Sequence, residues 1–418
     1  MSKKHIVAIG TLDTKDPEYE YLLKCLDHYG FETILIDLSC YRNSTKLNPN
    51  YTCVEMAQIG GKDFAEISQT SRLEASKPMI AAGIQVCQEL HAAGKLDGII
   101  GMGGANGTYI SGSIMKALPM GIPKFIISVV AAGNVRESVG SKDITLINCV
   151  ADITLNRFTA GIIAGAAAGL AGILTLPPPP PLETGSVPVA STMMGLNQDC
   201  VIGAKDILEP EGFEVTVFHS NGIGGGSMEE MIAGGRFQGV LDLTLNELAN
   251  TPLAGVFDSG PDRGWMALEA GIPTVFVPGC LDFVNFWGRN IPEKYRDRSF
   301  IFHNATNTLM RVTPAEIREC AKRLGEKINR GTGPVTVLVP LGGLSNNDRD
   351  GRNIRGRNVA GEDVGSWYDP AGPAAFLEGI REAVTRADVE IRAVDCHINE
   401  TQFAAEVAAA FRAICAID

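Results

Sequence analysis

The residues best placed to do chemistry lie in a glycine-rich turn. An apolar run, Leu96-Asp97-Gly98-Ile99-Ile100, enters the loop Gly101-Met102-Gly103-Gly104-Ala105-Asn106-Gly107, which closes on Thr108; Tyr109 to Leu118 then reads as a helix. Glycines let backbone N–H groups approach an anion closely, and a helix start adds partial positive charge. A phosphate is the natural occupant. The loop lacks the Gly-Lys-Ser/Thr of a Walker A sequence and the Gly-x-Gly-x-x-Gly spacing of a dinucleotide fold. By itself it suits a ligand-free strand-to-helix turn equally well. Two similar loops tip the balance. His5–Gly10 runs into Thr11-Leu12-Asp13-Thr14-Lys15 before a helix signalled by Asp16-Pro17, and Val215–Phe218 runs into His219-Ser220-Asn221-Gly222-Ile223-Gly224-Gly225-Gly226-Ser227 before Met228–Ala233. In open α/β sheets such loops gather at the carboxyl ends of the strands, where ligands bind.

The second half carries denser polar chemistry, always just after an apolar run. Asp242 follows Val240-Leu241, Gly260-Pro261-Asp262-Arg263 opens a helix, and Asp282 and Asn285 share a loop. His303 and Asn304 come together, and His397 stands in Asp395-Cys396-His397-Ile398-Asn399. Taken singly, each residue reads as a helix cap or a hydrogen-bonded strand end. Jointly, His219, His303 and His397 at strand ends, with Asp242, read as a catalytic acid/base set, because histidine titrates near neutrality. Metal binding with Asp242 or Asp282 is the second option, which no HExxH-type spacing supports. Gly224, Gly225, Arg263, Asp282, Asn285 and Asn304 are the candidate substrate contacts. The segment Arg349–Arg357 holds four arginines; solvated loop is its default reading and an anion clamp the alternative.

The elements that must position these residues follow from the hydrophobic pattern. Apolar runs near 5–10, 32–37, 99–102, 124–129 and 144–151 alternate with helical segments, and the alternation restarts after Pro177–Pro181 with runs that include 214–218, 239–243, 274–277, 299–303, 335–340 and 389–394. This predicts an α/β protein of two doubly wound, Rossmann-like domains, 1–180 and 181–418, facing across a cleft. Thr159–Leu176 is uncharged and long enough to span a bilayer, but its Ala/Gly content and the prolines after it favour a buried helix and a stiff linker. A net charge of −12 over 418 residues argues against nucleic-acid and membrane surfaces. Ten cysteines without metal spacing, and a short apolar run at the N-terminus, read as reduced thiols in a cytoplasmic protein.

Taken together, Gly10–Lys15, Gly103–Thr108, His219 with Gly224–Gly226, Gly260–Arg263, Pro278–Asn285, His303-Asn304 and Asp395–Asn399 resemble, in order from end to end, an uncharacterised protein family. That family includes the N-terminal, ATP-binding half of the tomato mosaic virus resistance protein. The resemblance implies ATP near Thr11, Asp13, Thr14, Lys15, Gly103, Gly104, Gly107 and Thr108. The family loop is usually Gly-Gly-Ser-Gly-Gly-Thr; here Ala105 and Asn106 replace two positions, which removes a hydroxyl donor. The resulting expectation is an ATP-binding protein, with Asp13 near Mg²⁺, that acts on a small anionic metabolite by phosphoryl transfer or activation. A homo-oligomer is expected. A non-catalytic ATP-binding regulatory module is the alternative.

Overall fold

The structure, a computed structural model, describes residues 3–177, 180 and 186–415. The chain divides into two compact units, Met1–Leu182 and Glu183–Asp418. Of the proline run read as a linker, Pro178, Pro179 and Pro181 lie outside the described residues.

The first unit is built on five strands: β1 (His5–Gly10), β2 (Glu32–Asp37), β3 (Gly98–Gly103), β4 (Lys124–Ser128) and β5 (Ile144–Asn148). They form one sheet in the order β2-β1-β3-β4-β5, with every pairing parallel. A parallel sheet needs cover on both faces, and the side-chain alternation of β1 shows how it is obtained. Val7 and Ile9 pack with Val86, Ile110 and Ile114, from the helices Arg72–Ala92 and Ala105–Lys116. Ile6 and Ala8 pack on the other face with Leu22, Leu26, Ala167 and Leu170. These come from the helices Leu12–His28 and Arg157–Thr175. The second of these contains most of the segment long enough to cross a membrane; it buries Ile163, Ala166, Ala167, Leu170 and Ala171 inside this unit and exposes Phe158 and Ile173. The chain leaves β1 toward β2 and later crosses to β3 on the other side. That reversal opens a crevice at the carboxyl ends of β1 and β3.

The second unit contains β6 (Val187–Met193), β7 (Phe213–His219), β8 (Gly239–Asp242), β9 (Thr274–Phe276), β10 (Phe283–Trp287), β11 (Phe300–Phe302), β12 (Asn307–Arg311), β13 (Val335–Pro340), β14 (Arg355–Arg357), β15 (Asp363–Ser366) and β16 (Glu390–Val394). Six make a parallel sheet in the order β16-β13-β9-β8-β6-β7, with its reversal at β6. The other five form an antiparallel sheet, β10-β12-β11-β14-β15, which a doubly wound reading of the sequence does not contain. The run 299–303, expected as one more parallel strand, supplies β11 of this second sheet. Its three residues pair with β12, Phe300 opposite Met310, and so short a run carries no sign of the sheet it will join. Asn285, expected in a loop, sits in the middle of β10.

A buried charge cluster ties the parallel sheet of this unit to the turns at its carboxyl edge. Arg263 is 1% exposed. Its guanidinium donates to Asp242 at the end of β8, to Glu247 (Nε to Oε2, 2.6 Å) and to Glu229 (3.4 Å). Each carboxylate also holds backbone or hydroxyl groups. Asp242 accepts from Thr192 Oγ1 at 2.8 Å, Glu229 from Met266 N at 2.9 Å, and Glu247 from Gly222 N at 2.6 Å and Gly225 N at 3.2 Å. Burial pushes the Glu229 carboxyl upward, against the pull of Arg263. One cation therefore faces three buried acids, and removing it leaves their charge uncompensated. Arg263→Met is expected to lower unfolding stability by about 3–5 kcal/mol in urea titrations, the scale of breaking a buried ion pair from one side. A loss below about 1 kcal/mol would remove the cluster from the list of structural struts.

Candidate functional site

In the first unit, a cavity of about 220 Å³ opens at the carboxyl ends of β1 and β3, lined by Thr11, Asp13, Thr14, Lys15, Cys40, Tyr41, Arg72, Gly103, Gly104, Ala105, Asn106 and Gly107. The turn after β1 is strapped to the end of β2: Leu12 N donates to Asp37 Oδ1 (3.2 Å), and Asp13 N to Ser39 Oγ (2.9 Å). Backbone angles leave the helical range at Lys15 (φ −135°, ψ 22°), so the regular helix starts after it, where Asp16-Pro17 signals a start. This break lets the Lys15 side chain swing toward the cavity edge, where Nζ donates to Ile153 O.

The turn after β3 needs glycine for close approach. A Cβ on Gly103 would stand 2.8 Å from Gly107 Cα, and one on Gly101 would stand 2.4 Å from Ser111 Oγ. The helix Ala105–Lys116 then starts from Gly104 with no side-chain cap, so its first N–H groups are presented to the cavity. Asn106 is steadied from outside by Ser76 Oγ (3.2 Å). Two cations, Lys15 and Arg72, and one carboxylate, Asp13, line the space. Burial raises the Asp13 carboxyl above its ordinary range, opposed by Ser39 and by the charge of Arg42. Burial, with the Asp13 charge beside it, pushes the Cys40 thiol up to about 11, which makes it a poor nucleophile at neutral pH.

Seven of the eight residues expected to hold a cofactor line this one cavity. Thr108 does not. It is fully buried, and its Oγ1 lies 2.7 Å from Ser128 Oγ, a bond that joins the helix to the end of β4. Arg72, Tyr41 and Cys40 were absent from the sequence reading. Arg72 opens a helix capped by Ser71, which looks like an ordinary helix start, and only the packing of that helix against the helix Ala105–Lys116 brings it here.

In the second unit the expected residues separate into three environments. His219, Asn285, His303 and Asn304 line one cavity of about 330 Å³, together with Met194, Gly195, Leu196, Phe257, Phe283, Asn307 and Leu309. His219 Nδ1 lies 3.2 Å from Met193 O. Asp242, Arg263 and the glycines form the second environment. The third loop, read as a ligand cradle, has its N–H groups already taken within the protein: Gly222 N and Gly225 N donate to Glu247, and Ile223 N and Gly224 N to Asn221 Oδ1. Asp242 and Arg263 are locked beneath it, outside the cavity.

The third environment contains Asp282 and His397. Asp282 is fully buried; its carboxylate accepts from Ser345 Oγ (2.9 Å) and Trp367 Nε1 (3.1 Å) and forms an ion pair with Arg311 Nη1 (3.1 Å), while the other Arg311 terminal nitrogen donates to Asp348 (2.9 Å). Burial raises both carboxyls, and the Asp282 charge helps push Asp348 up to about 6. His397 is 3% exposed. Its Nε2 lies 3.0 Å from Ser345 O and its Nδ1 accepts Asn399 N at 3.1 Å. Those partners fix the proton on Nε2, and burial pulls the imidazole below its ordinary range, so it is a neutral strut for the Leu341–Ser345 turn. His397 and Asp242 therefore share no cavity with His219 and His303. Three arginines of 349–357 are tied locally, Arg352 Nη1 to Asn346 O (3.0 Å), Arg355 to Asp363 and Arg357 Nη1 to Gly361 O (2.9 Å), while Arg349 lies 4.0 Å from Glu400. None of them lines either cavity.

Comparison with known proteins agrees with this two-unit layout. The N-terminal domain profile of the uncharacterised protein family UPF0261 matches residues 4–178, and its C-terminal domain profile matches 187–415. A UPF0261 protein of Clostridium tetani is 36% identical over 411 residues, covering 98% of both chains. The ToMV resistance protein Tm-1 of Solanum lycopersicum is 33% identical over 425 residues, covering 96% of this chain and 54% of that protein. Among solved structures, the UDP-GlcNAc 2-epimerase of Methanocaldococcus jannaschii covers 65% of this chain and 83% of its own at 13% identity and a TM-score of 0.23, too low to carry an argument. With both halves matched in order, the chain belongs to the uncharacterised protein family UPF0261.

Proposed function

We propose that the first unit binds the phosphates of a nucleotide, ATP with Mg²⁺, in the cavity at the carboxyl ends of β1 and β3. The observation that carries this reading is the uncapped start of the helix Ala105–Lys116, which opens into a cavity that also holds Lys15 and Arg72. Unsatisfied N–H groups, a helix dipole and two cations all favour an anion at one point. Arg72 offers a fork that matches phosphate oxygens, and Lys15 a point charge able to exchange a backbone carbonyl for a phosphate. Tyr41 supplies an aromatic edge to the same cavity.

Among the described residues, no group of three or more His, Cys, Asp or Glu is arranged to hold a metal unaided. That suits Mg²⁺, which keeps several waters and is held by one or two carboxylates together with phosphate oxygens. Asp13 is the carboxylate available, and its elevated proton affinity would fall once the cation arrived. No histidine lines this cavity. The proposal is therefore nucleotide binding as such, argued from residues of the first unit alone. Phosphoryl transfer to an anionic metabolite remains a separate claim, testable by phosphate release during incubation with ATP–Mg²⁺.

Calorimetric titration with ATP–Mg²⁺ is expected to show saturable binding that Lys15→Ala and Arg72→Ala each weaken by about 1–3 kcal/mol, the scale of a charge-assisted hydrogen bond. No binding by the unaltered chain would end the proposal. Thr108→Val separates the structural account from the sequence reading. Its hydroxyl bonds within the protein, so the expected outcome is unchanged ATP affinity with a stability loss of about 1 kcal/mol. Weakened affinity at unchanged stability would return Thr108 to the site.

A further inference from the structure

The cavity of the second unit has a chemistry distinct from that of the first. It lies at the carboxyl ends of β6 and β7, beside the point where the parallel sheet reverses, and β10 and β12 of the antiparallel sheet wall it. Its wall is graded. Met194, Phe257, Phe283 and Leu309 are buried and make an apolar floor, while His219, His303 and Asn304 are exposed and stand at the mouth. No lysine, arginine, aspartate or glutamate lines it, so the two imidazoles are the side chains of this wall that can carry charge.

The polar side chains of the mouth have donors to spare. Asn304 Oδ1 accepts from Thr306 N (2.9 Å), Thr306 Oγ1 (3.0 Å) and Asn307 N (2.8 Å). Its oxygen is thereby spent on the turn, and its Nδ2 has no partner among the described residues. Asn307 is set the same way. Its Oδ1 accepts from Asn285 Nδ2 at 3.1 Å, so the buried Asn285 orients a neighbouring amide and does not itself meet a ligand. A carbonyl can only accept, so the 3.2 Å contact of His219 Nδ1 with Met193 O places a proton on Nδ1. Nε2 is the nitrogen left for a ligand, and it becomes a donor when the ring is protonated. Neither ring nitrogen of His303 has a partner among the described residues. The Leu196 carbonyl on the same wall is already taken, by Asn346 N (2.7 Å) and Asn399 Nδ2 (3.0 Å).

Two amide donors and two imidazoles, with no carboxylate among them, complement a group that only accepts. An imidazolium adds the counter-charge and a charge-assisted bond. The floor selects further. A bare inorganic anion would leave the apolar side uncovered, and a doubly charged phosphate ester would find no guanidinium or ammonium here. One negative charge on an apolar body matches both ends of the cavity.

We propose that this cavity binds a small organic carboxylate with an apolar body. The carboxylate sits at the mouth on His219, His303 and the Asn304 amide, and the body lies against Met194 and Phe257. The proposal is drawn from residues of the second unit alone.

The probe is phenylacetate, titrated calorimetrically into the full chain, with phenylacetamide, acetate and inorganic phosphate as comparisons. Phenylacetate is expected to bind saturably. Phenylacetamide keeps the ring without the charge, and acetate the charge without the ring; each of these, and phosphate, is expected to bind at least tenfold more weakly. Phenylacetate should bind more tightly at about pH 6 than at about pH 8, because protonating an imidazole creates the counter-charge while the carboxylate stays ionised. The double variant His219→Gln, His303→Gln keeps side-chain donors and removes the charge, so that pH dependence should vanish. Asn304→Asp keeps the oxygen that holds the Thr306 turn and sets a negative charge in the mouth. At least a tenfold loss for phenylacetate is expected, with an unchanged melting temperature; if the double variant fails to fold, Asn304→Asp decides alone. The proposal is overturned if phenylacetate does not bind, if any of the three comparison compounds binds as tightly, if affinity does not rise on acidification, or if Asn304→Asp binds phenylacetate as the unaltered chain does.

Discussion

The backbone N–H groups stranded where a strand turns into a helix are the constraint on which both units are organised. A parallel sheet with helices on each face places these turns at one edge, and every helix that starts there begins with donors that have no partner in the helix itself. The two glycine-rich turns meet this requirement in opposite ways. After β3, the helix from Ala105 has no capping side chain and opens into a cavity with Lys15 and Arg72. After β7, the carboxylate of Glu247 occupies the corresponding place, holding Gly222 N and Gly225 N, with Arg263 behind it. An internal anion already fills one cradle. The other leaves room for an external one.

The same choice, satisfied within the protein or left for a ligand, sorts the remaining polar residues. His397 has a protein partner on each ring nitrogen and shapes a turn. Asp282 and Asp348 share Arg311 and hold the segments around Ser345 and Trp367. Such groups are costly to bury, and their partners here come from within the protein: Asp282 is held through Oδ2 while its Oδ1 has no hydrogen-bond partner. His303 and Asn304 lie at an exposed turn. Titratable or polar character alone does not separate these cases; the number of partners does.

The antiparallel sheet shows how an insertion changes what a doubly wound unit can offer. Without β10 and β12, the carboxyl edge at β6 and β7 would be an open ledge carrying His219. With them, Phe283, Asn285, Asn307 and Leu309 wall it into a cavity. The inserted strands also extend the unit's core, since Val284, Phe286, Phe300 and Met310 pack in one cluster with Phe276 and Val337 of the parallel sheet. The cavity wall is thus rigid for the same reason that the unit is stable.

By itself, the sequence determined most strands of the parallel sheets and most residues that line the cavity of the first unit. Runs such as His5–Gly10 are buried on both faces and bounded by turn residues, so their state follows from local pattern. Gly103, Gly107, Asp13 and Lys15 were legible because strand-to-helix turns impose glycine and polarity at fixed places in the chain. Tertiary structure decided everything that depends on partners distant in the sequence. Arg72 enters the first cavity by helix packing, and Thr108 leaves it by bonding Ser128. Glu247 claims the Gly222–Gly225 turn from a separate loop. Phe300–Phe302 joins an antiparallel sheet because its pairing is set by residues 308–310 and not by its own composition. Periodicity reports which residues must be covered. It carries no record of which buried donor will meet which acceptor, and that matching separates a strut from a site.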